Sequence, residues 1–259
     1  MDEMTNNRMF MKCPDLSDDG TKSDQELKLP QPPLEKAAVG EIIELPAFEN
    51  AVRTTAYTDL LDNRRSGRAY SDMPATGEQL AFMLWSVQGV QAIRGANRYA
   101  SLRPVPSGGA RHPFEVYAAV LNVEGLKPGI YHYLPLEHVG EKRVSVEFTA
   151  PLDNAGDTIT DMLAGQSWAA KAPFTLFFSC LPYRGEWRYR EMAHRVMLID
   201  LGHAGQNAML SAAALGLTSC CCAAYDAARC DEVLGLDGLH EYTVYAVTVG
   251  QESQKAAEN

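Results

Sequence analysis

Residues 64–68 read Arg-Arg-Ser-Gly-Arg, which puts three guanidinium groups within five positions and a hydroxyl between them. Like charges this close repel unless counter-ions or a ligand offset them. Guanidinium forks match the geometry of phosphate oxygens, and Ser66 adds a further donor. A second stretch has the same character. From Gln79 to Phe114 there is no Asp or Glu, yet Arg94, Arg98, Arg103 and Arg111 fall there. Within it, Pro106-Ser107-Gly108-Gly109-Ala110 offers backbone amides that a ligand can approach closely, because glycine lacks a Cβ. Together these groups point to a phosphorylated ligand. No G-x-x-x-x-G-K-[ST] is present, and no G-x-G-x-x-G follows a strand, so neither a P-loop nor a Rossmann site is supported.

Three consecutive cysteines, Cys220, Cys221 and Cys222, read first as small buried hydrophobes in a tight segment, with Cys221 a candidate to touch a ligand. Neighbouring cysteines rarely bridge, and without a C-x-x-C pair a structural zinc site is not expected. Reduced thiols in a reducing compartment fit this usage. In an extended segment Cys220 and Cys222 would share one face and Cys221 the other. The six histidines have no common metal spacing and read as packing or surface residues. His203 and Gln206 stand one turn apart on a helix expected to be buried, where internal hydrogen bonding is the expectation.

The elements that must position these groups are partly visible. Thr76 and Gln79 have capping-box spacing, and Leu80, Leu84 and Val87 form a helical stripe. "FEVYAAVL" and "GIYHYLP" read as strands, and "APFTLFFSC", apolar on both faces, as a central strand. A long helix is expected over about 195–215, ended by Gly216. "TSCCCAAY" should be extended. Asp226 should cap a helix ending at Gly235, and "YTVYAVTVG" a last strand. Strands and helices mix without regular alternation, which points to α+β rather than a doubly wound sheet. The expected organisation is an extended, proline-containing arm over 1–52, a single domain over 53–250 and a polar tail over 251–259.

The 259 residues carry a formal net charge of -10. That balance argues against nucleic acid or an anionic membrane as the main partner. No apolar run approaches the roughly 18 residues a membrane helix needs. The first residues lack the apolar core of a signal peptide, so a cytoplasmic protein is expected.

Six blocks, "RRSGRAY", "LAFMLWSVQGV", "RPVPSGGARHPFEVY", "GLKPGIYHY", "GHAGQNAMLSAAALGL" and "VYAVTVG", occur in the order found in the nitroreductase superfamily. The chain resembles its SagB-type dehydrogenase branch over about residues 55–250. The resemblance implies an α+β fold with a central, mainly antiparallel sheet flanked by helices, an intertwined homodimer, and FMN at the dimer interface. It implies that Arg64 and Ser66 hold the FMN phosphate, that Arg65 lines the flavin, and that Arg68 sits at the pyrimidine edge near N1 and O2. Negative charge develops there on reduction, so a fixed cation raises the potential. Pro106, Ser107 and Gly109 would approach from the partner subunit.

Two departures from the family pattern shape the expectations. Many nitroreductases carry a Glu-Gly pair after the segment equivalent to "LGLTSCCC". Here the ungapped match places Ala223 and Ala224 there, after Cys221 and Cys222 on the approach to the flavin, with Cys221 at a position often held by proline. Beyond the last strand only Lys255 could replace the basic residues that reach the phosphate in other members, which leaves Arg64, Ser66 and Arg111 to serve. Azoline dehydrogenases of the branch carry a Lys-Tyr pair, and counting back from "GHAGQN" puts Arg188 and Tyr189 at it. They are the catalytic candidates, although arginine does not act as a base. The implied activity is an FMN-dependent oxidoreductase that takes electrons from NAD(P)H and gives them to a nitroaromatic or quinone in ping-pong fashion. The alternatives are dehydrogenation of a thiazoline or oxazoline in a peptide, and a non-catalytic flavin-binding partner protein.

Overall fold

The computed structural model describes residues 2–12, 20–96 and 99–253. Arg98 and Lys255, both singled out above, lie outside them. Along the chain come α1 (Glu3–Phe10), β1 (Glu41–Glu44), α2 (Tyr57–Asn63), α3 (Gly77–Gln88), β2 (Ala92–Arg94) and β3 (Ala100–Leu102). Then follow β4 (Phe114–Val120), β5 (Gly129–Tyr133), β6 (Ser145–Pro151), α4 (Ala155–Met162), β7 (Phe174–Cys180) and α5 (Tyr183–Tyr189). The last elements are α6 (Ala193–Ala214), β8 (Thr218–Cys222), α7 (Ala227–Leu234) and β9 (Tyr242–Gly250).

Seven strands form one sheet in the order β1-β6-β5-β4-β7-β9-β8, while β2 and β3 pair as a separate ribbon. Every pairing between these strands is antiparallel. The architecture is therefore α+β, a mainly antiparallel sheet between helices. β7 lies near the middle and all seven of its residues are buried, as its unbroken apolar run requires. Its side chains alternate: Phe174, Leu176 and Phe178 enter the core shared with α3 and α6, while Phe177 enters the core shared with α4 and α7. Burying both faces of such a strand contributes about 25 cal/mol per Å² of apolar surface.

Local signals explain the principal helices. At the start of α3, Thr76 Oγ1 accepts from the Gln79 amide at 3.3 Å, and Gln79 Oε1 accepts from the Thr76 amide at 2.9 Å. Asp226 Oδ1 likewise accepts from the Arg229 amide at 2.9 Å to cap α7. α6 is 22 residues long, and Gly216, with φ +71°, ends its run.

Residues before 53 lie along the body. β1 pairs with β6 at one edge of the sheet. Lys36 Nζ donates to Glu241 at 2.7 Å and to the Tyr117 hydroxyl at 3.0 Å, across a buried group of carboxylates. Burial pushes Glu115 up, but the Arg184 charge and the His132 hydrogen bond more than offset it and hold its carboxyl at about 2. Among the described residues no helix is long and apolar enough to cross a membrane.

Candidate functional site

The arginine cluster lies on the free edge of the sheet. Its backbone bonds to the edge strand β8: Ser66 bridges Ser219 in parallel, and the Gly67 amide donates to the Ser219 carbonyl at 3.0 Å. Gly67 is required by this approach, because a Cβ there would fall 2.0 Å from Thr218 Oγ1. Tyr70 anchors the far end, its hydroxyl donating to the Gly67 carbonyl at 3.1 Å. The segment is thus a rigid ledge from which side chains project outward.

Arg64 and Arg65 line a cleft of about 240 Å³ with Met209, Ala213, Ser219 and Gln251. Arg68 lies on the other side of β8, its guanidinium carbon 5.7 Å from the centre of the Trp168 ring. No ion pair joins Arg64, Arg65 or Arg68 to a carboxylate among the described residues; Arg65 donates to the Arg64 carbonyl at 2.8 Å. Three unneutralised guanidinium groups and the exposed Ser66, held on this ledge, suit the phosphate and polar edge of a flavin nucleotide.

The cysteines follow directly along β8. Cys220 and Cys222 enter the core with α4 and α7, and Cys221 packs on the opposite core beside Gly205 of α6. The thiols of Cys220 and Cys222 interact, which lowers Cys220 and raises Cys222; the nearby Arg68 charge also favours the Cys220 thiolate. Burial pushes Cys221 up, against the pull of the Tyr245 hydroxyl and the Arg64 charge. Cys221 is therefore a neutral, half-buried thiol rather than an activated one. Ala223 and Ala224 follow the strand as exposed residues, and the Ala224 carbonyl accepts from Gln166 at 2.9 Å.

The glycine turn lies elsewhere. Gly109, Ala110 and His112 have φ of +58°, +53° and +44°. Two of these are not glycine, and such conformations cost of order 1 kcal/mol or more each, so surrounding contacts must impose them. Asp200 of α6 does so, accepting the Gly108 amide on both carboxylate oxygens at 3.2 and 3.0 Å. Burial pushes the Asp200 carboxyl up, against the hydrogen bonds of Ser107 and Gly108. Pro106 is exposed and Ser107 half-buried, its Oγ accepting from the His112 amide at 3.0 Å. Sequence reasoning missed Asp200, since an Asp inside a long helix carries no local sign of a distant partner.

Arg188 and Tyr189 meet this turn. A Cβ on Gly109 would fall 2.6 Å from the Tyr189 hydroxyl and 2.9 Å from Arg188 Nε. Glycine is therefore the only residue that fits between them. Tyr189 is half-buried, and its hydroxyl makes no hydrogen bond among the described residues. Arg111 differs from the sequence expectation of a phosphate ligand. It is 1% exposed, donates to the carbonyls of Arg184 and Tyr99, and packs against the rings of Tyr99 and Trp187. Its place is behind the turn, which it braces.

The single chain does not bring the ledge and the turn together. The turn sits over Asp200, and the ledge over Met209 and Ala213 of the same helix. Nine to thirteen residues at 1.5 Å each separate Asp200 from Met209 and Ala213, about 14–20 Å. His203 and Gln206 lie between and are exposed, against the expectation of internal hydrogen bonding. They share the outer face of α6 with Leu198 and Ile199, which are 56% and 47% exposed. The small, mixed composition of α6 hid which face was outward.

An antiparallel sheet between helices, with an arginine ledge on β8 and a glycine turn on α6, defines a nitroreductase-type oxidoreductase. The nitroreductase family model matches residues 61–251, and the chain belongs to that family. It is 29% identical over 210 residues to MJ1384 of Methanocaldococcus jannaschii, a protein named as a nitroreductase, covering 81% of this chain and 96% of that one. It is 27% identical over 210 residues to the microcin B17-processing protein McbC of Escherichia coli, covering 79% and 73%. A nitroreductase-named structure from Anabaena variabilis superposes with a TM-score of 0.69 at 19% identity, which bears on the fold alone; it covers 95% of this chain, which spans 45% of that protein's length. Members of the family generally bind flavin.

Proposed function

We propose that this chain is an FMN-dependent oxidoreductase whose site is completed by a second copy of the chain. The observation that carries the reading is the unpaired arginine ledge, fixed on β8 and separated from the glycine turn. Arg64 and Ser66 would hold the phosphate, Arg65 would line the flavin and Arg68 would turn from Trp168 to the pyrimidine edge. Pairing two chains along the exposed face of α6, through Leu198, Ile199 and small Gly202, would carry the turn of one toward the ledge of the other. When bound, FMN supplies hydride transfer.

The chain's own residues supply the rest. The ledge binds and orients. Arg68 offers a permanent positive charge where negative charge develops. Cys221, Ala223 and Ala224 form a small, uncharged approach to the ring. Tyr189 offers a free phenol as proton donor to a substrate held against Gly109. NADH or NADPH would be the electron source, and an electron-poor acceptor such as a quinone or nitroaromatic the sink.

A second reading has its own observation. Arg188 and Tyr189 stand against the glycine turn, where the resemblance to azoline dehydrogenases puts a functional pair, and McbC is a peptide-processing protein. Oxidation of a thiazoline or oxazoline ring in a peptide is the reaction this favours. Purified protein given NADH, NADPH and p-benzoquinone in turn tests the first reading. Steady turnover supports it, and the absence of turnover with every pair rejects it. Loss of two hydrogens from a thiazoline peptide, read by mass, would select the second.

A further inference from the structure

The segment 21–29, ahead of the sheet, is bound along α5. The Gln25 amide donates to the Trp187 carbonyl at 2.8 Å, and Trp187 Nε1 donates to the Leu29 carbonyl at 3.1 Å. The Tyr183 hydroxyl donates to Asp24 at 2.9 Å, and Arg190 donates to the Thr21 carbonyl at 3.3 Å. These bonds fasten a strap to the helix that ends at Tyr189.

One further contact has a different character. Gln25 Nε2 donates to the Tyr99 hydroxyl oxygen at 3.0 Å, and the same oxygen accepts from Arg188 Nη1. A phenolic oxygen used by two donors fixes both of them relative to one ring. That ring is itself fixed, packed against Trp187 at 6.3 Å between centroids and faced by the Arg111 guanidinium at 5.3 Å. Beyond Arg188 the contacts continue. Its guanidinium carbon lies 5.3 Å from the Tyr189 ring centre, and its Nε closes the space beside Gly109. A continuous line of contacts thus runs from the strap to the candidate proton donor. Covering apolar surface would require the strap but not the Gln25 amide on Tyr99.

We propose that Gln25 is a positioning residue of the active site: through Tyr99 it holds Arg188, and Arg188 holds Tyr189 against the Gly109 turn. This rests on the reading of Tyr189 as the substrate-facing phenol. Arg188 has a long, flexible side chain, and without an anchored hydroxyl it would leave Tyr189 free to shift. Misplacement by about 1 Å can cost on the order of 100-fold in rate.

The test compares Gln25→Ala, Tyr99→Phe, Tyr189→Phe and the double variants Gln25→Ala/Tyr189→Phe and Tyr99→Phe/Tyr189→Phe. Hydrogen exchange of flavin-free protein is read over residues 187–192 and 106–110. Half-reaction rates of loaded protein are read with NADPH and then p-benzoquinone. Gln25→Ala and Tyr99→Phe should each speed exchange in both segments at unchanged melting temperature. Each should slow the quinone step about tenfold in its limiting rate rather than in the quinone concentration that half-saturates it. In the Tyr189→Phe background neither should slow it further. Unchanged exchange at 106–110, or a loss that multiplies with that of Tyr189→Phe, would overturn the role of Gln25 and leave Tyr189 standing. A Tyr189→Phe protein with wild-type rates would overturn both.

Discussion

Arg64 and Arg68 stand four positions apart on opposite sides of β8, and their substitution should have different effects. On the proposed reading Arg64 holds the phosphate, so Arg64→Ala should mainly weaken FMN binding. Losing one charge-assisted contact costs about 1.5–3 kcal/mol, or roughly 10- to 150-fold in Kd. Arg68→Ala should mainly lower the flavin reduction potential. Titration of flavin-free protein and potentiometry of the loaded variants would separate the two; equal effects of both changes on both quantities would contradict the assignment. The cysteines divide in the same way. Cys221→Ser should shift the flavin absorption or its reduction rate, while Cys220→Ser and Cys222→Ser should lower the melting temperature. An unchanged spectrum and rate for Cys221→Ser would make all three packing residues.

At the scale of elements, what was legible in the sequence were those that carry their own instructions. The reciprocal bonds of Thr76 and Gln79 start α3, and Asp226 caps α7. The unbroken apolar run of β7 marks a strand buried on both faces. The elements that escaped notice are held from outside. α4 and α5 have no side-chain cap, β1 is four residues paired on an edge, and β6 buries Glu147 where an apolar residue would mark a strand. The site divides similarly. The arginines and glycines announce themselves by type and spacing, whereas Asp200, Tyr99 and Gln25 matter only through partners 92, 89 and 74 residues away.

The segment just before β1 has a testable pH dependence. Glu35 accepts from the Leu136 amide at 2.6 Å, yet burial pushes its carboxyl from 4.5 up to about 7. The folded protein therefore keeps a proton that the unfolded chain has lost between those values. The cost of ionising Glu35 is absent below pH 4.5, grows through the window and is complete above pH 7. Glu35→Gln should gain melting temperature over the native protein at pH 8 and gain little at pH 4.5. An equal difference at both values would mean that Glu35 does not titrate in that window.

For the whole molecule, the separation of about 14–20 Å along α6 between the arginine ledge and the glycine turn would, on the proposed reading, make cofactor binding and pairing of chains one event. Each FMN that binds should draw two chains together, and each pairing should tighten FMN, as mass action requires. Sedimentation of flavin-free protein titrated with FMN, followed at the flavin absorption band, measures both at once. One FMN per chain should bind, with all bound flavin sedimenting at the mass of a dimer. A monomer saturated with FMN would contradict the two-chain site, and a dimer that binds none would contradict the flavin.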